Sequence, residues 1–179
     1  MNMKKMLFLA VTLLLIAPLA HAQLGTTTIA PTVSVNVTNE AALKIVDSNT
    51  PLTSVGTNFS NYTGTTNYLY YVRTTTGSGS GTIVLQITTD FAPVGGPSVG
   101  TPPSAGDALT YVPSISSPGT AASVQTAATA STTPVASFGA GAHSTKAGNA
   151  ASLAWTLTND PVYGTGSYTA TVTLTIASA

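Results

Sequence analysis

Tyr168-Thr169-Ala170-Thr171-Val172-Thr173-Leu174-Thr175-Ile176 alternates apolar and threonine side chains without a break. Successive side chains of a β-strand point to opposite faces. An extended chain here therefore gathers Tyr168, Ala170, Val172, Leu174 and Ile176 on one face and the four threonines on the other. A helix would scatter the same residues around its axis. Threonine on the solvent side keeps β-propensity high without adding apolar surface. The run predicts a strand with one buried face.

Four further segments carry the same period. Val33, Val35 and Val37 alternate with Thr32, Ser34, Asn36 and Thr38. Tyr68, Tyr70 and Val72 face one way, and Leu69, Tyr71 and Arg73 the other. Ile83, Leu85 and Ile87 alternate with Val84, Gln86 and Thr88, and Leu153, Trp155 and Leu157 with Ala154, Thr156 and Thr158. Weaker signals are Leu109, Tyr111 and Ile115, which suggest a short strand cut off by Pro113, and another strand near Val135–Phe138. The one helix-like stretch, Thr120–Ala130, is poor in helix formers. Turn chemistry punctuates these runs: Thr76-Gly77-Ser78-Gly79-Ser80-Gly81 as a hairpin loop, Pro93–Gly106 as a longer loop, and Asn159-Asp160-Pro161 before the last strand. About seven or eight strands and no convincing helix predict an all-β, two-layer antiparallel β-sandwich. Trp155 is expected in its core.

The first 22 residues read differently. Lys4 and Lys5 precede an apolar run from Met6 to Ile16, and Ala20-His21-Ala22 follows. A positive start, a short apolar run and a small-x-small ending make a secretory signal peptide cleaved after Ala22. The run is too short for an ordinary membrane span, and no membrane insertion is expected once it is removed. The chain then divides into 1–22, signal peptide; 23–38, an N-terminal extension or first strand; and 39–179, the sandwich. The expected destination is the cell surface or the medium, reached through the periplasm.

Composition narrows what an exported Gln23–Ala179 can do. Lys44, Arg73 and Lys146 are its strong bases, and Glu40, Asp47, Asp90, Asp107 and Asp160 its acids; three against five leave a net charge of −2. Nucleic-acid binding needs clustered Lys and Arg to displace counterions, so three scattered bases argue against it. Cysteine is absent, so an exported domain must be held by its core or by neighbours in an assembly. A surface of hydroxyls and backbone repels its own copies weakly.

Catalytic constellations are sparse. His143 is the only histidine after the signal peptide, in a small-residue loop, and no serine has a nucleophile-elbow setting. Metal sites need three or four clustered ligands; one histidine, no cysteine and five dispersed acids predict none, and no cofactor is implied. Asp90 and Asp160 would have to meet across a cleft to hydrolyse glycosides, and nothing in the sequence brings them together. The reading is non-enzymatic. Asn36-Val37-Thr38, Asn58-Phe59-Ser60 and Asn61-Tyr62-Thr63 match the N-x-S/T pattern, a match expected by chance in so hydroxyl-rich a chain. Aromatic residues concentrate between Asn58 and Tyr71, and Tyr62 and Tyr71 are candidates for contact with a ligand or partner.

The layout of signal peptide, alternating Thr32–Thr38, the short apolar Ala41-Ala42-Leu43-Lys44-Ile45 and a terminal Gly166-Ser167-Tyr168…Ile176 strand resembles the exported pilin-like β-sandwich proteins of bacteria, the spore-coat-U and archaic chaperone–usher subunit group. The resemblance implies an immunoglobulin-like sandwich with a missing strand, filled by the N-terminal segment of the next subunit. Val33, Val35 and Val37 would then be the donor residues, and the partners copies of the chain or homologous subunits, with a periplasmic chaperone. The chain departs from the group in having no cysteine and in ending Ala177-Ser178-Ala179 where the group has an aromatic. Two functions follow as expectations: a structural subunit of a surface fibre or coat assembled by strand exchange, or a secreted monomeric module binding carbohydrate through its tyrosines. Thr32–Thr38 is correspondingly a donor strand or the domain's own first strand.

Overall fold

A computed structural model describes residues 30–179; the expected signal peptide lies outside the described residues. Residues 36–179 make one unit, and 30–35 belong to the unit before it. The described chain is all-β, with ten strands: β1 Glu40–Ile45, β2 Thr53–Ser54, β3 Tyr62–Arg73, β4 Gly81–Ala92, β5 Leu109–Ile115, β6 Thr120–Ala121, β7 Gln125–Thr126, β8 Thr133–Phe138, β9 Asn149–Leu157 and β10 Thr169–Ser178. They form two antiparallel sheets. One has the order β1-β3-β9-β5-β7, with β2 continuing the β1 edge of β3; the other has the order β10-β4-β8-β6.

Strict alternation on the central strands builds the core. Tyr68, Tyr70 and Val72 of β3, Leu153, Trp155 and Leu157 of β9, and Leu109 and Tyr111 of β5 meet Ile83, Leu85 and Ile87 of β4 and Val135 and Phe138 of β8. Trp155 is buried against Tyr111, with ring centroids 5.4 Å apart, and its Nε1 donates to Thr66 Oγ1 at 2.8 Å. Tyr111 Oη reaches Thr133 Oγ1 at 2.7 Å and the Pro134 carbonyl at 2.9 Å.

Tyr68 differs from its neighbours. It is 1% exposed, and its Oη has no hydrogen-bond partner. Burial pushes its phenol pKa up, because the charged form loses its solvation. A buried hydroxyl without a partner costs free energy, so removing it favours the folded state. Tyr68→Phe is expected to stabilise the chain by about 1 kcal/mol in urea unfolding; a loss of stability would mean that the hydroxyl is satisfied in solution.

Two expectations are corrected. Strand β5 does not end at Pro113 but continues through it to Ile115. On one side β9 pairs along the whole strand, while β7 on the other reaches only Thr110 and Tyr111. The missing N–H of Pro113 therefore falls on an unpaired flank, where proline is tolerated. The weak helix candidate Thr120–Ala130 instead supplies the two-residue strands β6 and β7. In addition, Thr32–Thr38 carries no strand and pairs with no sheet, and Val33, Val35 and Val37 are exposed. The first strand among the described residues is β1, from Glu40.

Candidate functional site

The two edge strands β1 and β10 face each other across the sandwich. They run side by side, with Cα atoms within 8 Å over part of their length, and no ladder joins them. Their inward side chains are covered less well than those of the central strands. Leu43, Ala170, Leu174 and Ile176 are half-buried, while Ile45 and Val172 are 47% and 38% exposed. On β4 the matching positions Ile83, Leu85 and Ile87 are sealed. The cause lies in the topology: a central strand is flanked on both sides, whereas β1 and β10 each have one paired flank and one open row of N–H and C=O groups. The result is an apolar seam bordered by two unpaired edges.

One end of this seam is tied. Asn39 Nδ2 donates to the Ser178 carbonyl at 2.8 Å, and Ala179 exchanges backbone bonds with Ser80. Arg73 Nε donates to the Thr38 carbonyl at 2.6 Å, and its guanidinium pairs with Glu40 at 3.0 Å. At the opposite end, near the β2–β3 loop and the start of β10, no hydrogen bond among the described residues crosses from β1 or that loop to β10.

Tyr62 and Tyr71 are not brought together. β3 alternates in unbroken register from Tyr62 to Arg73, which puts the even-numbered side chains inward and the odd ones outward. Tyr62 packs against the core. Tyr71 lies on the outer face, about 30 Å along the strand at ~3.3 Å per residue. Its hydroxyl donates to the Ala147 carbonyl at 3.2 Å and its ring rests on Gly148. Gly148 has φ +84°, and a Cβ there would meet the ring at 2.8 Å, so glycine is required on both counts. Both tyrosines are already engaged within the domain.

His143 and Asp90 are likewise separated. His143 is exposed, with Nδ1 3.0 Å from the Gly141 carbonyl, beside Arg73 at the end of β3. A shallow hollow near it is lined by Ser117, Ser144, Thr145 and Asn149. The polar groups of the last three bond internally, Asn149 Nδ2 to the Ser117 carbonyl and Ser144 Oγ with Val72. Asp90 is at the far end of β4, on the opposite pole. Burial alone would raise its pKa, but Ser98 Oγ at 2.6 Å and the N–H groups of Val99, Gly100 and Phe91 at 2.8–3.0 Å hold the carboxyl below the usual range. Asp90 thus stays charged and pins the 93–106 loop to β4. Sequence spacing did not signal this, because the donors come from a loop that only tertiary folding returns to the strand.

Asp160, placed in a turn by Pro161, receives the Val162 N–H at 2.8 Å and lies against Ser104 and Asp107. Ser104 holds its carboxyl below the usual range. Burial pushes the neighbouring Tyr163 phenol up, reinforced by Asp107. No group of three His, Asp or Glu side chains among the described residues could hold a metal ion, and no described helix is long and apolar enough to cross a membrane. No family model matches the chain, and neither a curated protein nor a solved structure matches it.

Proposed function

We propose that this chain is an exported, non-enzymatic structural subunit of a bacterial surface fibre or coat, whose copies join by β-strand exchange. The observation that carries the reading is the pairing of two incomplete features. An apolar seam lies between the unpaired edges β1 and β10, and an alternating segment, Thr32–Thr38, has three exposed valines and no strand partner. Each supplies what the other lacks. A period-two segment presents side chains to a partner's core while its backbone satisfies an open edge.

Insertion has a cost that the geometry states. A strand seated between two others needs them about 9.6 Å apart, twice the ~4.8 Å strand spacing. β1 and β10 approach within 8 Å over part of their length, so the edges must part for the segment to enter. Opposing that cost, each valine moved from water into the seam contributes about 1.5–3 kcal/mol. Backbone pairing along both edges adds to this. The low charge and the export signal read from the sequence fit a subunit that packs against its own copies.

The test is a gel of the cell-surface fraction in detergent, with and without boiling. A ladder of multimers that collapses to one band on heating is the expected result, since strand-exchanged contacts resist detergent and yield to heat. A single monomer band in both lanes would overturn the reading.

A further inference from the structure

Four large apolar side chains are exposed at one end of the sandwich: Val55 and Phe59 in the β2–β3 loop, Val94 after β4 and Val162 before β10. Their loops are bound to one another. Asn159 Nδ2 donates to the Ser60 carbonyl at 3.0 Å, and the Gly164 N–H donates to the Gly95 carbonyl at 2.8 Å. The residue at the tip is held outward by its backbone. Asn58 and Phe59 have φ of +52° and +55°, a left-handed conformation that a bulky side chain rarely adopts and that costs free energy. Ser60 Oγ to the Thr57 carbonyl and Ser54 Oγ to the Ser60 carbonyl keep the loop in that shape, leaving Phe59 60% exposed.

Resting on the strand-exchange reading above, we propose that this loop end is a subunit interface, covered in the assembly by the Glu40–Arg73 end of a neighbouring copy. Two observations choose the occupant. The first is chain length: only Asn39 separates the alternating segment from β1. A residue spans at most about 3.6 Å, so a copy that donates Thr32–Thr38 must bring its own Glu40 end to the mouth of the seam it enters. The second is which end of the seam is tied. The end beside Arg73 is tied by Asn39 to Ser178. At the other end, where β1 reaches Ile45 and β10 begins, no hydrogen bond among the described residues joins β1 or the β2–β3 loop to β10, and the loops there carry Phe59 and Val162. The donating copy's Glu40 end therefore lands on the apolar patch, and the donated segment runs antiparallel to β10 and alongside β1.

The absence of cysteine makes the contact testable with introduced thiols. Glu40→Cys and Thr57→Cys lie at opposite ends of β3, a 12-residue strand, too far apart to bridge within one chain. In the full chain carrying both changes, mild oxidation of the assembled multimers should lock the ladder against boiling, and reductant should release it. Phe59→Ser should raise the concentration needed for half-assembly by about tenfold. A heat-sensitive ladder that never becomes boiling-resistant, or that is locked by Thr57→Cys alone, would overturn this interface and leave strand exchange standing. An unchanged half-assembly concentration for Phe59→Ser would also overturn it. A chain with no ladder before oxidation would overturn the strand-exchange reading, and the interface with it.

Discussion

Val33→Asp, Val35→Asp and Val37→Asp, introduced together, should leave a folded monomer and no heat-sensitive ladder. The three valines are exposed and belong to no strand, so the sandwich loses no packing when they change. In the assembly they would sit in the apolar seam. The variant loses the burial of three valines, about 1.5–3 kcal/mol each, and must also desolvate three carboxylates, at several kcal/mol each without partners. No backbone pairing of seven residues offsets that. Period-two geometry supplies the control: Ser34→Asp with Asn36→Asp changes the opposite face and should keep most of the ladder. Matching urea midpoints for the two variants and the parent would show that the sandwich is untouched. A ladder that survives the triple aspartate change would mean that Thr32–Thr38 is not the donated strand.

Where the chain was legible depended on how local the signal was. Tyr168–Ile176, Tyr68–Val72, Ile83–Ile87 and Leu153–Leu157 announce their strands because one buried face demands alternation within a few residues. The same logic is blind to partners. Thr32–Thr38 alternates as cleanly as β10, yet it takes no place in either sheet; alternation fixes which side chains face inward, not what lies across from them. Pro113 was misread for a related reason, since its effect depends on whether the flank it faces is paired. The β1–β10 seam was out of reach as well. It is created by strand order, with Glu40–Ile45 and Thr169–Ser178 brought to adjacent edges from opposite ends of the sequence. Tyr62 and Tyr71 looked like one aromatic cluster by position, but nine residues of unbroken register put them on opposite faces. The role of Asp90 was equally hidden, because its partners at residues 98–100 reach it only through the fold of a long loop.

Trp155→Ala tests the sandwich itself, and its expected signature is the reverse of the valine changes. Trp155 is buried in the face of β9, tilted against Tyr111, with its indole N–H on Thr66 Oγ1. Thr66 Oγ1 in turn shares a 2.5 Å hydrogen bond with Thr50 Oγ1, so the indole anchors β9 to β3 and to the chain before β2. Truncation to alanine opens a large cavity and removes one of the two hydrogen bonds at Thr66 Oγ1, at a cost of about 3–5 kcal/mol. Folded domains are stable by only about 5–15 kcal/mol, so a large part of the total should disappear. Trp155→Phe keeps most of the ring volume and loses the hydrogen bond, and should cost about 1–2 kcal/mol. The chain has one tryptophan, so unfolding of these variants is followed in urea by far-ultraviolet circular dichroism. With no disulfide to hold the sheets, nothing covalent masks the loss. A cost below about 1 kcal/mol for Trp155→Ala would mean that the sheets are held elsewhere than at the Tyr111–Trp155 contact. If the full cost appears while the triple aspartate variant keeps the parental midpoint, the forces that fold one copy are separate from those that join two.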